Sequence, residues 1–303
     1  MKQPIINPIT KDIGVLKKVN TFDVVDIIKS YKSLGLEVER FFENLKTIEL
    51  YECLETNYRF FYPFSCIGDA QFYKDLSLNR PNYYSTRWEH LKILPSINPS
   101  DRVLEIGSGF GIFLKLLKSK SIKAEGLELN PEAINICLKH GLNIHNELIE
   151  EFAQFHESSY EIVCYFQVLE HITDVRDFIQ NSLIPLKPNG RLIIGVPNNN
   201  PFLFINDKYH TLNLPPHHAG LWNVKSLKAL EKIFPIVLET VYFEPLEKTY
   251  NYFLSSYMAN TNSVKRQILK VLNKYAHGIL KRFLCRFISG RNILVVFRKI
   301  NNE

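Results

Sequence analysis

The sequence predicts an α/β fold: a doubly wound, mostly parallel sheet of seven strands, with an N-terminal helical and hairpin cap and a helical insertion before the last strand. Three observations predict it. From about residue 100 to 200, short apolar runs alternate with amphipathic stretches, the βαβ rhythm of a parallel sheet wrapped by helices. One of these runs flows directly into alternate glycines, "VLEIGSGFG" at 103–111. The chain has 303 residues, 46% hydrophobic and 22% charged, enough to bury a full core and too apolar for disorder.

The strand candidates in order are "RVLEI", "IKAEGLEL", "LNIH", "YEIVCYFQV", "RLIIGVP", "IVLETVYFEP" and "NILVVFRK". Helices fit between them. "FGIFLKLLKSK" follows the glycines, and "PEAINICLKHG" carries Pro131 in its first turn and Gly141 as a stop. "DVRDFIQNSLIPL" has Thr173 or Asp174 as its cap, and "VKSLKALEKIF" precedes the sixth strand. Residues 1–95 read as a cap, with a helix over "TFDVVDIIKSYKSLG", a hairpin of "KTIELYEC" and "YRFFYPF" around "LETN", and aromatic-rich helical stretches. No Pro/Gly/Ser linker separates this cap from the body at 96–303, which includes a basic helical insertion at 246–290.

Five cysteines form no CxxC pair, so neither a disulfide framework nor a zinc site is expected. The start has no apolar core of signal-peptide length, and a cytoplasmic location is expected. Net charge is +6, with eight Lys or Arg and no acid between Asn262 and Arg291.

The spacing of Gly107, Gly109 and Gly111 is GxGxG rather than the GxGxxG of a dinucleotide fold. Glu105 stands two residues before the first glycine, and Glu128 ends the next strand, placed to accept ribose hydroxyls. A carboxylate at position 105 repels pyrophosphate and suits a ligand with an ammonium and a sulfonium. Bare backbone between two acids therefore points to an adenosine ligand with a cationic tail.

"VLEIGSGFG", "GLELNPEAI", "YEIVCYFQVLEHI" and "LIPLKPNGRLIIGVPNN" together resemble the successive signatures of class I S-adenosylmethionine-dependent methyltransferases over roughly residues 100–245. The resemblance implies a Rossmann-like methyltransferase fold whose last strand runs antiparallel, with cofactor and acceptor at the carboxyl ends of the strands. It implies S-adenosyl-L-methionine as cofactor, with Glu105, Gly107, Ser108, Gly109 and Gly111 at its methionine part. Glu128 would hold the ribose, Leu129 would lie against adenine, and Gln167 would sit near the methionine. For the adenine edge it implies the segment "HNELIEE", with Asn146 taken from among Asn146, Glu147 and Ile149.

Transfer to a hydroxyl gains from a general base, and histidine is the usual one near neutral pH. "LEHI" puts His171 just after the fourth strand, and "LNLPPHHAGLW" puts His217 and His218 in a proline-braced loop. Adjacent residues on extended backbone face opposite ways, so one of that pair is expected to point inward. The pair lacks a clear third metal ligand, and no metal is expected.

The "PPHH" loop, "LEH" and an N-terminal stretch with "IELYECLETNYRFFYP", "FYKDL" and "YYSTRWE" resemble a branch of these enzymes found with sugar and surface-polysaccharide biosynthesis. That implies a sugar hydroxyl as acceptor, on a nucleotide-linked or lipid-linked saccharide. The aromatics Tyr58, Phe60, Phe61, Tyr62, Phe72, Tyr73, Tyr83, Tyr84 and Trp88 suit a sugar-stacking wall or a packed cap. A quinone or other lipid-like acceptor, and a non-catalytic scaffold, are the alternatives. Projected as one helix, 266–281 gathers Arg266, Lys270, Lys274, His277 and Lys281 opposite Ile268, Leu272, Tyr275 and Ile279. Such a basic helix can lie at the inner face of a membrane through 262–291, or pack on protein. Nucleic acid is not expected as a partner.

Overall fold

In the computed structural model, residues 4–80, 85–199 and 209–300 are described. The chain starts with β1 (Leu16–Asp23), where the sequence predicts no strand, and α1 (Val24–Lys32). Helix begins only after Asp23, whose carboxylate accepts the Val25 N–H at 2.8 Å, so "TFD" belongs to the strand and not to the predicted helix. β2 (Thr47–Cys53) and β3 (Arg59–Tyr62) form the expected hairpin, followed by α2 (Ala70–Asn79) and α3 (Trp88–Ile93).

The body follows as β4 (Arg102–Ile106), α4 (Ile112–Ser119), β5 (Lys123–Leu127), α5 (Pro131–Lys139), β6 (Asn143–His145), α6 (Ile149–Phe152), β7 (Tyr160–Phe166), α7 (Val175–Leu183) and β8 (Leu186–Pro197). Asn130 caps α5 just ahead of Pro131, and of the two candidates for α7 it is Asp174 that accepts the Asp177 N–H. After the histidine loop come β9 (Gly220–Leu221), α8 (Val224–Ala229), β10 (Ile236–Pro245), α9 (Tyr250–Ala259), α10 (Ser263–Tyr275), α11 (His277–Phe287) and β11 (Ser289–Lys299).

Seven strands form one sheet in the order β10-β11-β8-β7-β4-β5-β6, parallel except for β11, which is antiparallel to both neighbours. Its middle strands are buried on both faces, as helix-covered parallel strands must be: Val103, Leu104, Ile162, Val163, Ile193 and Ile194 are all fully buried. Strand order reverses at β4, between β5 and β7, which opens a crevice at the carboxyl ends of the strands.

A second sheet has the order β1-β2-β3-β9. Its last strand is contributed by the body, where Gly220 and Leu221 pair with Phe60 and Arg59. Trp222, fully buried, packs on Tyr58 at 4.3 Å between ring centroids. Tyr58 and Phe60 are buried in the core they share with the body, and Phe61 and Phe72 in the core under the second sheet, so these four are packing and not a sugar-stacking wall. Tyr83 and Tyr84 lie outside the described residues.

The basic insertion is two helices and not one. α10 ends at Ala276, whose N–H bonds Leu272 O at 2.8 Å, and α11 restarts beside Gly278, a poor helix former. Arg266 leaves the solvent face to donate to the carbonyls of Met258, Ala259 and Thr261 at the end of α9. No residue of α10 is buried. Among the described residues no helix is long and apolar enough to cross a membrane.

Candidate active site

β4 delivers Glu105 to the crevice, and the turn that follows holds Gly107, Gly109 and Gly111 at φ of 70°, 54° and 67°, left-handed values that glycine adopts without steric cost. The N–H groups of Gly107 and Ser108 donate to Leu127 O, which staples the turn to β5. Glu128, just past β5, accepts the Gly109 N–H at 2.7 Å and those of Leu129 and Asn130 at 2.9 Å. Leu129 and Asn130 share Oε1, whereas Oε2 takes only the Gly109 N–H and keeps a second lone pair to offer a hydroxyl.

These residues line a cleft of about 520 Å³ with Gln167 and His171 on its far wall. Gln167 follows β7 at φ 57°, a strained value for a residue with a Cβ, and its side-chain amide donates to Glu89 at 2.9 Å. Glu105 and Glu128 therefore face one open cavity. Glu105, 3% exposed, has an oxygen with no hydrogen-bond partner among the described residues. Burial first, then the charge of Glu128, pushes its carboxyl well above the usual carboxylate range.

Among the described residues the cleft lining holds six carboxyl side chains (Asp69, Glu105, Glu128, Glu147, Glu150, Asp174) against one guanidinium, Arg87, and even with Asp69 paired to Arg40 and Asp174 to Lys11 the carboxyls outnumber it. That charge balance and the orphaned Glu105 oxygen fit a ligand with an ammonium and a sulfonium, and oppose a pyrophosphate. S-adenosylmethionine thus fits. Glu105, Gly107, Ser108 and Gly109 would hold its methionine part, Glu128 its ribose and Leu129 its adenine.

Two expected contacts fall elsewhere. Asn146 is exposed and outside the lining, whereas Glu147 and Ile149 of the same segment line the cleft. β6 ends at His145, so the next side chain turns to solvent. Gly111 is also outside the lining, and it begins α4 where a Cβ would meet Leu142 at 2.5 Å and Cys137 at 2.8 Å. Its role is packing.

A second cavity of about 510 Å³ adjoins the first, and Arg87, Gln167 and His171 line both. Here the histidines meet. The loop turns at Pro215–Pro216, with the N–H groups of His217 and His218 both directed to Leu214 O, so it is not extended there. The two rings stack at 4.5 Å and both line the cavity, contrary to the alternation expected of extended backbone. His171 joins them at 4.8 and 5.1 Å.

Burial holds all three imidazoles neutral, lowering His171 to about 4 and the other two well below the ordinary histidine value. Glu170, 1% exposed, also lines this cavity, and burial raises it to about 8. In the sequence Glu170 stands out only as a neighbour of His171. Arg80 and Arg87, Glu244, and Arg291, from three separate stretches of the chain, complete a polar wall that no local motif announces.

A family profile described as "Methyltransferase domain" matches residues 80–235. The chain is 28% identical over 105 residues to the ubiquinone biosynthesis O-methyltransferase of Sodalis glossinidius, covering 33% of this chain and 42% of that protein. It is 28% identical over 180 residues to the protein of that name from Hydrogenovibrio crunogenus, covering 54% and 74%. It thus spans about half the length or less of the first curated relatives it matches. Among solved structures, a chain of the complex between the Trm112 methyltransferase activator and a methyltransferase from Haloferax volcanii aligns at TM-score 0.55 and 13% identity, over 78% of this chain and 99% of that one. With the profile spanning just over half of the residues, this chain belongs to the class I S-adenosylmethionine-dependent methyltransferase family.

Proposed function

We propose that the protein transfers a methyl group from S-adenosylmethionine to a hydroxyl of a saccharide, nucleotide-linked or lipid-linked, held in the histidine cavity. The observation that carries this reading is the junction of the two cavities at Gln167 and His171, with the second lined by hydrogen-bonding side chains of both charges. The cofactor supplies a sulfonium methyl for in-line displacement. The chain's own residues hold the acceptor oxygen in line and take its proton.

Glu170 suits the proton better than the histidines do. Raised to about 8 by burial, it lies nearer a working pH of about 7 than His171 at about 4. The neutral imidazoles orient the hydroxyl. Arg80, Arg87 and Arg291 suit a phosphate or other anion on the acceptor.

The names of the curated relatives favour a quinol acceptor, but a planar apolar ring wants a less polar wall than this one. α10 and α11 bear on the carrier of the saccharide. Ile268, Tyr275, Ile279, Phe283 and Phe287 are all more than half exposed among Lys and Arg, the composition of a helix pair that lies on an anionic membrane. That supports a lipid-linked acceptor. Flotation with anionic vesicles should recover the protein, and Ile279→Asp with Phe283→Asp should release it; recovery of both forms alike refutes the membrane contact.

The decisive test incubates the protein with cofactor and panels of nucleotide-sugars, lipid-linked saccharides and quinols, and reads the gain of a methyl group by mass spectrometry. Methylation of quinols alone overturns the sugar assignment. Failure to bind S-adenosylhomocysteine in calorimetry leaves a scaffold.

A further inference from the structure

We propose that His171, His217 and His218 form a binding site for a borderline divalent cation such as zinc or cobalt, inside the acceptor cavity. His171 precedes His217 by 46 positions in the chain, yet one nitrogen of each of the three rings lies within 4.8 Å of the other two. Each ring is held from behind by an oxygen. His171 Nδ1 bonds His217 O at 2.6 Å, His217 Nδ1 bonds Leu212 O at 2.8 Å, and His218 Nδ1 bonds Asn213 Oδ1 at 3.0 Å. Carbonyl and amide oxygens only accept, so each of these Nδ1 atoms carries a proton, and the Tyr73 hydroxyl also lies 3.1 Å from His171 Nδ1.

That is how histidines are held in metal sites, where the other nitrogen donates to a carbonyl or carboxylate and fixes the tautomer. Metal–nitrogen bonds of about 2.0–2.1 Å at tetrahedral angles put ligand nitrogens about 3.3 Å apart. The cluster therefore has to close by about 1.5 Å at most. Asn213 is itself fixed, its amide donating to Asn199 at 2.8 Å.

A second observation points to the same ion. Glu170 is almost fully buried on the same cavity, its Oε2 has no hydrogen-bond partner among the described residues, and its Oε1 lies 3.9 Å from His171 Nε2. A cation there satisfies a carboxylate that is otherwise orphaned. Arg80, Arg87 and Arg291 line the cavity too and oppose a cation, which Glu170 and Glu244 offset only in part, so the imidazole nitrogens have to supply most of the affinity. Three imidazoles with one carboxylate select zinc, cobalt, nickel or iron(II) over magnesium or calcium, which prefer oxygen ligands. Resting on the acceptor-cavity reading above, the ion gives the three histidines one shared function. A hydroxyl of the acceptor completes the coordination and is thereby placed and acidified, with Glu170 beside it.

The test uses the full chain, stripped with a chelator and titrated with cobalt(II). One equivalent should bind with visible d–d bands, zinc should displace it, and His171→Gln or His217→Gln should weaken it at least tenfold. No bands, or bands that survive both substitutions, overturn the site. Calorimetry with S-adenosylhomocysteine on the same samples separates the two readings: cofactor without cobalt rejects the ion alone, and cobalt without cofactor rejects the methyltransferase reading alone. Should the variants not fold, an anomalous-difference map of the cobalt-loaded wild type decides, since a peak among the three rings sustains the proposal and a peak elsewhere, or none, ends it.

Discussion

Adding one methyl group at each of two glycines separates the cofactor-facing part of the turn from its packing part. Gly107 and Gly111 have nearly the same φ, 70° and 67°, so alanine suffers a similar left-handed penalty of about 1–2 kcal/mol at either. What the new Cβ meets differs. At 107 it meets one atom, Val168 Cγ2 at 2.6 Å, on a half-buried side chain that lines the cofactor cleft and can turn into it. At 111 it meets Leu142 and Cys137, both buried in the α5–β6 layer, where overpacking costs about 1–3 kcal/mol. Gly111→Ala should therefore lose about 2–5 kcal/mol, lowering Tm on the order of 10 °C, while the folded protein keeps S-adenosylhomocysteine affinity within about threefold. Gly107→Ala should lose about 1–2 kcal/mol and at least tenfold in affinity, about 1.4 kcal/mol. Scanning fluorimetry and calorimetry read the two quantities. Wild-type affinity in Gly107→Ala, or a larger affinity loss in Gly111→Ala, refutes the partition.

His90, buried between Phe113 and Phe166, is lowered by burial to about 3, so it stabilises the fold fully above its unfolded value of 6.5 and progressively less as pH falls towards 3. In urea titrations the stability difference between wild type and His90→Gln should shift by about 1.4 kcal/mol per pH unit across that window, and a pH-independent difference contradicts it. Asn146→Ala should leave cofactor affinity unchanged, whereas Glu128→Ala, which frees the Gly109 N–H, should cost at least tenfold by calorimetry; the reverse order breaks the assignment. Trp222→Ala should remove about 3–5 kcal/mol from the buried contact with Tyr58, read as a Tm loss.

β4, β7, β8 and β11 are legible in the sequence because each holds a run of buried apolar residues, β5, β6 and β10 follow from their place in the βα alternation, and the cofactor turn is legible because glycine spacing and two acids are local signals. β1 is not. Its "LKKVNTFD" alternates poorly and carries Lys17 and Lys18, as an edge strand with few buried contacts can. β9 is two residues long and exists only through its pairing with β3. The alternation rule fails at His217 and His218 because a turn stabilised by Leu214 O replaces extended backbone there. The triad itself is invisible at the level of spacing, since His171 reaches the pair through sheet topology.

The two residues of β9 tie the cap to the histidine loop more closely than their number suggests. Because the Phe61 N–H bonds Ala219 O and the Ala219 N–H bonds Glu170 O, one continuous backbone seam runs from the first hairpin to Glu170 on the wall of the histidine cavity. Exchanging the first 95 residues for those of a related chain would remove that anchor, so a chimera joined at residue 95 inherits a histidine loop cut from its partner strand.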